Sequence, residues 1–448
     1  MNYHRYIIAL VAVCFCLTLK GQGATSNFQL ASLSFGYARG KSSSKLDSCS
    51  LAQTFSIFNF QLERIEQNNT TLIALRTEAE ARKLENRTGI TLADPEVGLK
   101  RMWEGAEETG NLTEFTVSQS VDLATALGYR TRVAREQNLL IDEEYRTTRM
   151  EILLDAQLTL IDIAYYNALH AELDRRLGHA RRVVEAERTR LESGDTDALS
   201  HNNVLLSLSA LEAEEARIDM ERSVLIARLT ALNGGKELEE LKIENEKLKI
   251  NSIDEGNHPE ANFQFSIFNS QLDFSAWYAE AEAHLPQLAQ ARQLTQVRSG
   301  ELTLAKSMHL PTLSATYVNE RHTIGTRSQG VAVGVSIPLW ANKNRVRSAR
   351  TALEAAEAHK ADAELQLCSA FEQEFARVKG LHHTASLYRR ALDEANNTAL
   401  LEKAMGEGYI SVLEYLQGIE LYYDYLDRSL SADRDYLRAL ATLEAWRL

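Results

Sequence analysis

The side chains that most often do chemistry are sparse in this chain and badly spaced for it. The histidine pair His382-His383 occupies adjacent positions of a helical stretch, where neighbours diverge by roughly 100° and cannot chelate one ion. His201, His258 and His322 stand alone and read as ordinary surface or core residues. Of 4 cysteines, Cys14 and Cys16 lie in an apolar leader. Cys49 and Cys368 are too few and too far apart for a disulfide framework or a zinc site, and an unpaired core Cys368 is expected. There is no Gly-rich phosphate loop, no His-Glu-x-x-His and no paired-Cys motif. The spacing offers no catalytic residue, metal ligand set or cofactor site, and the chain reads as a non-enzyme. A net charge of -13 argues against nucleic acid as a partner. It permits an acidic lumen that attracts cations, although charge along long helices is usually a wet face.

The elements around these residues carry the information. Arg5, the apolar run Ile7 to Leu19 and the small residues Gly21-Gln22-Gly23-Ala24 read as a secretory signal over residues 1–24. The run is too short to span a bilayer, which takes roughly 20 residues. Acylation of Cys14 or Cys16 is the rival reading, and Val11-Ala12-Val13 fits it poorly. Residues 25–59 read as a flexible N-terminal segment. No later apolar run reaches transmembrane length, so a membrane-spanning form of this chain requires β-strands.

With 448 residues, only 5 Pro and 22 Gly, and 25% charged residues, the composition predicts long helices. The chain also repeats itself. Gly194-Asp195-Thr196-Asp197-Ala198-Leu199 is echoed by Gly408-Tyr409-Ile410-Ser411-Val412-Leu413, and Pro95 by Pro311, at almost the same offset. Each Gly follows some 60 to 70 residues without proline, and each Pro opens a pair of strands. The expected organisation is a first repeat over 60–235 with a hairpin at about 95–122, a charged linker over 236–270, and a second repeat over 271–448 with a hairpin at about 311–339. A near-identity, Phe55 to Leu62 against Phe265 to Leu272, has no physical account in the sequence and is expected to be peripheral.

Both hairpins are legible from alternation. Val331, Val333, Val335, Ile337 and Leu339 share a face opposite Gly330, Ala332, Gly334 and Ser336. Leu313, Ala315 and Tyr317 alternate with Thr312, Ser314 and Thr316, and Val97, Leu99 and Trp103 with Glu96, Gly98 and Lys100. Four strands cannot close a transmembrane barrel, whose smallest form has about 8. The sheet must therefore pack on helices or be shared among chains. Val121 to Ser193, proline-free, would extend about 105 Å at 1.5 Å per residue, far too long to fold back on a small sheet. Seven-residue stripes run through Leu177, Val184 and Leu191; through Val204, Leu211, Ile218, Leu225 and Leu232; and through Tyr415, Tyr422, Tyr436 and Leu443. They imply coiled-coil packing, and Asn233-Gly234-Gly235 ends the first copy.

This pattern resembles the TolC family of outer-membrane efflux proteins over about residues 60 to 448. The resemblance is carried by Asp94-Pro95-Glu96-Val97 and Leu310-Pro311-Thr312-Leu313, by the Gly-x-x-x-x-Leu reversals at Gly194 and Gly408, and by Thr116-Val117-Ser118-Gln119-Ser120 and Val335-Ser336-Ile337-Pro338-Leu339-Trp340. The segment Asn68 to Asn86 and the first hairpin are similar to the heavy-metal (CzcC-like) branch. The resemblance implies a mainly α fold with a small β part, in which a homotrimer shares one twelve-stranded barrel in the outer membrane and builds a helical tunnel across the periplasm. It implies a passive exit duct for small substrates such as metal cations or drugs, fed by a periplasmic adaptor and an inner-membrane pump of resistance-nodulation-division type.

It further implies that Gly194, Asp195, Thr196, Asp197 and Leu199, with Gly408, Tyr409, Ile410, Ser411 and Leu413, form the periplasmic tip that meets the adaptor. The acidic gate ring of relatives maps onto Glu414 and onto Gln417, the second position no longer acidic. Ile410 stands where relatives carry an Arg, so an ionic latch of that pattern is not expected. Two other readings share these features: the duct of a type I protein secretion system, and a periplasmic coiled-coil adaptor or scaffold.

Overall fold

The computed structural model describes residues 61–103, 111–237, 274–323, 325–340, 342–395 and 397–448. The leader, the N-terminal segment, Cys49 and nearly all of the charged linker lie outside the described residues. The element order is α1 (Thr70–Glu85), β1 (Glu96–Met102), β2 (Leu112–Asp122), a single turn α2 (Leu123–Ala126), α3 (Tyr129–Ser193) and α4 (Ala198–Leu232). After the linker come α5 (Phe274–His284), α6 (Pro286–Ser307), β3 (Thr312–His322), β4 (Arg327–Ser336), α7 (Arg345–Glu394), α8 (Thr398–Gly406) and α9 (Val412–Leu443).

Each Pro lies immediately ahead of its strand, where its missing N–H costs no ladder bond. The four strands form one antiparallel sheet in the order β1-β2-β3-β4, so the hairpins of the two halves join side by side through β2 and β3. The register aligns Val97, Val117, Tyr317 and Val331 across the sheet, and Val121, Leu313 and Val335 beside them. On the other face, Gly98, Thr116, Val318 and Gly330 align, as do Ser120, Ser314 and Gly334. A Cβ on Gly98 would meet the Thr116 hydroxyl at 2.5 Å, and one on Gly334 the Ser314 hydroxyl at 2.5 Å. At these two positions that face is packed from small groups.

The long helices are shorter than an uninterrupted reading predicts, because each is broken once. In the first half the break is Leu127-Gly128, with Gly128 at φ 75°; the helix proper then runs 65 residues, about 98 Å. In the second half the 50 residues of α7 end at Glu394, and nine-residue α8 restarts at Thr398. Successive apolar clusters join the helices along their length. Trp277, Leu288, Phe375, Val378, Tyr436 and Leu443 bind α5, α6, α7 and α9. Leu62, Ile65, Leu153, Leu160 and Leu229 bind the 61–68 helical run to α3 and α4. Leu169, Leu173, Leu177 and Ile218 hold α3 to α4 further on.

Several predicted positions shift. Val183 is buried where the stripe had named Val184. Cys368 is half-buried rather than core. The duplicated Phe55 to Leu62 segment ends inside the core, with Gln61 and Leu62 both buried, because α3 and α4 pack over it. The stop at Asn233-Gly234-Gly235 holds for a tertiary as well as a local reason. Gly234 is left-handed, and a Cβ there would meet the Asn68 carbonyl oxygen at 2.2 Å; Asn68 Nδ2 donates to Asn233 Oδ1 at 3.0 Å.

Candidate functional site at the helical reversals

Both reversals use the same local chemistry. After α3, the Gly194 N–H donates to the Leu191 carbonyl (3.1 Å) and the Asp195 N–H to Arg190 (2.8 Å); after α8, the Gly408 N–H donates to Met405 (3.1 Å) and the Tyr409 N–H to Ala404 (2.8 Å). This paired closure needs a left-handed residue, and the two glycines supply it at φ 80° and 76°. Three residues later each chain restarts with an N-cap. Asp197 accepts from the Ser200 N–H at 2.7 Å. Ser411 Oγ accepts from the Glu414 N–H at 3.2 Å, while Glu414 Oε2 accepts from the Ser411 N–H at 2.8 Å, a reciprocal capping box.

These bonds set the electrostatics of the tip. Donation by the Ser200 backbone holds the Asp197 carboxyl below its ordinary range, and donation by the Ser411 backbone and hydroxyl does the same for Glu414. Within one chain, Glu414 is thus an exposed, ionised carboxylate with its charge aimed along the start of α9. Gln417 lies exposed one turn on. Leu199, Tyr409 and Leu413 present apolar surface at the tip, Tyr409 being 79% exposed. Asp195 is engaged locally, accepting from Ser193 Oγ at 2.8 Å. Thr196 Oγ1 donates to Glu187 Oε2 at 3.0 Å, and Arg190 holds the other oxygen at 2.7 Å. Glu187 is only 2% exposed.

The tertiary structure brings the two reversals together. Val183 of α3, Val204 of α4 and Val412, Tyr415 and Ile419 of α9 form one buried cluster, with Leu401, Met405 and Ile410 packed on it. Ile410 therefore makes an apolar contact at the position where the resemblance gave no expectation of an ionic latch. The ionic and polar ties lie elsewhere, and sequence reasoning missed them. Arg176 grips Asp427 with two hydrogen bonds of 3.0 and 2.7 Å and lies 4.2 Å from the centre of the Tyr423 ring. Tyr415 Oη meets His179 Nε2; burial lowers the His179 pKa and raises that of Tyr415. Deeper in, Arg389 grips Asp433, whose pKa burial raises in spite of the guanidinium. The one signal that could have found them was an Arg or Asp inside an otherwise apolar stripe.

Paired long helices that reverse in matched motifs at one end and carry a small antiparallel sheet at the other are an arrangement this chain shares with solved outer-membrane channels. The chain matches a membrane protein from Pseudomonas aeruginosa with a TM-score of 0.68 and 14% identity, covering 87% of this chain and 89% of that one. It matches CusC with a TM-score of 0.68 and 13% identity (87% and 91%), and the outer membrane protein VceC from Vibrio cholerae with a TM-score of 0.62 and 14% identity (87% and 96%). No curated protein matches the chain. Residues 277–446 match the family model described as outer membrane efflux protein. The family match covers that segment of the second half, and the likeness to the solved structures shows that the chain has their fold.

Proposed function

We propose that three copies of this chain share one twelve-stranded barrel in the outer membrane and enclose a continuous tunnel, the passive exit duct of a tripartite efflux pump. The observation that carries this reading is the bare apolar face of the sheet. Val331 is 74% and Val333 76% exposed, and no described helix covers them. Among the described residues β1 and β4 are also open edges, and open edges are untenable in hydrocarbon. Closure by further copies satisfies the edges, turns the valine face to lipid and leaves the Gly/Ser/Thr face to the lumen. Trp103 and Trp340 extend beyond opposite ends of the strands, as interfacial aromatics do. No described helix is long and apolar enough to cross a membrane, which leaves the strands for that task.

In this reading residues 60–235 and 271–448 are the two repeats, joined by 236–270. The tip formed by Gly194 to Leu199 and Gly408 to Leu413 meets a periplasmic adaptor, which links the duct to an inner-membrane pump of resistance-nodulation-division type. Glu414 and Gln417 line the gate on the threefold axis. Small substrates, metal cations or drugs among them, pass without chemistry.

The test is single-channel conductance of the purified protein in planar bilayers, wild type against Glu414→Ala. A stable small conductance that rises, or loses its block by divalent cations, in the variant is expected. A protein that stays soluble in the periplasm, forms no heat-resistant trimer and conducts nothing would overturn the reading.

A further inference from the structure

Halfway along the α3–α4 hairpin, the geometry points to a binding site for one divalent transition-metal cation, formed by His170, Asp174 and Glu215 and oriented by Asp219. We base this on the register of the two antiparallel helices. Arg222 Nε donates to Asn167 Oδ1 at 3.0 Å, His170 Nε2 lies 3.3 Å from Asp219 Oδ1, and further toward the tip Arg181 faces Glu212 at 3.7 Å. These rungs pair opposite or complementary groups. The rung between them pairs two carboxylates, Asp174 and Glu215. One ligand atom from each of His170, Asp174 and Glu215 can be chosen so that all lie within 4.8 Å of one another.

Two features distinguish this group from an ordinary acidic patch. First, both helices contribute an i,i+4 pair, His170/Asp174 and Glu215/Asp219, so the four side chains project from facing stripes. Second, the imidazole is used on both sides. Its Nδ1 faces Asp174 at 3.6 Å and its Nε2 faces Asp219. A ligating histidine characteristically donates its second N–H to an outer carboxylate, which fixes the ring and its tautomer. Asp219 is in turn held by Arg222 at 3.1 Å. The nearby guanidiniums are already committed: Arg222 to Asp219 and Asn167, and Arg217 to Glu214 at 2.5 Å. Glu215 makes no ion pair among the described residues, and His170 and Glu215 are half-buried.

One nitrogen and two carboxylate oxygens, with water completing a fourth position, suit a zinc-class cation and not Ca²⁺ or Mg²⁺, which take oxygen ligands. Bonds of about 2.0–2.2 Å require the donors to draw somewhat closer, a rotamer adjustment of Asp174 and Glu215. The bound ion would cross-link α3 to α4. This site is independent of what the duct conducts and lies away from the reversals.

The sequence holds its signal in His170-x-x-x-Asp174, with Glu215-x-x-x-Asp219 as counterpart. The two halves of the set lie some forty residues apart in the chain, so neither is a ligand motif by itself.

The test is Zn²⁺ titration by calorimetry of the full-length protein in detergent after chelator stripping, with visible absorption of bound Co²⁺ as a second readout. The wild type should take one ion per chain. His170→Ala and Glu215→Gln should each weaken it by at least about tenfold, and Asp219→Asn by about ten- to a hundredfold. Zn²⁺ should raise the melting temperature of the wild type and of His382→Ala, which binds as the wild type does, and raise that of the His170→Ala/Glu215→Gln double variant little or not at all. Absence of saturable binding in the wild type, or equal binding by a His170→Ala/Glu215→Gln double variant of wild-type helicity, would overturn the assignment. So would Ca²⁺ competing as strongly as Zn²⁺.

Discussion

The reversal at Gly194 ends a helix of 65 residues, while the one at Gly408 hangs on a nine-residue helix with no buried residue. Their turns are nearly superposable in chemistry: the same paired closure, the same left-handed glycine, the same N-cap three residues on. What stands behind them differs. The first is stapled from within by Glu187, buried and held by both Arg190 and Thr196. The second follows α8, an element distinct from α7, which ends at Glu394, and depends on contacts to the other arm, through Tyr415, Ile419 and the Arg176–Asp427 pair. Matched local motifs thus do not give matched stability, since opening free energy follows buried contacts behind the turn. The second reversal is the one built to yield first.

The sharpest way to break this comparison is to remove its central anchor. Tyr415→Ala should cost about 3–5 kcal/mol, and hydrogen exchange should rise across 398–417 while 187–199 stays protected. Equal loosening of both reversals would erase the asymmetry. Next in size, Asp427→Ala leaves the Arg176 guanidinium, 6% exposed, without its main partner. About 1–3 kcal/mol is expected, below the fully buried range because Asp427 is partly open to solvent; chemical denaturation with Arg176→Met/Asp427→Ala as the paired control measures it. Gly194→Ala and Gly408→Ala should each cost about 1–2 kcal/mol, purely for the left-handed backbone, because a Cβ at either meets nothing within 4 Å. Unequal losses would reveal a contact at one turn that the closure motif does not contain. Smaller again, Asp197→Ala and Ser411→Ala should each remove a cap and fray the first turn behind it, read by the local helicity of α4 and α9.

The last effect is on pH. His179 is held neutral by burial, so the unfolded chain binds its proton more readily than the folded one. Its contribution is whole above the ordinary histidine value of about 6.5 and is lost as pH falls below that toward the depressed folded value. Acidification should therefore loosen the second arm, and His179→Gln should remove that part of the pH dependence. Asp197 and Glu414, also depressed, add a loss only lower, as pH falls through the carboxylate range.

By itself the sequence determined the elements and their order. Proline ahead of each strand, alternation within it, Gly-x-x-Asp and Gly-x-x-Ser at the reversals and proline-free helical stretches are local instructions, and local chemistry carries them out. It also marked the valine face, because period-two alternation needs no partner to be read. Only the tertiary structure decided that β2 pairs β3, that Ile410 packs on the cluster holding Val183, Val204 and Tyr415, that Arg176 meets Asp427, and that His170 faces Asp219. Those pairs are separated by tens to hundreds of residues, and their register depends on where helices of about a hundred ångströms lie against one another. The break at Gly128 and the end of α7 at Glu394 reset that register, and no residue type announces how far a helix slides after it is broken.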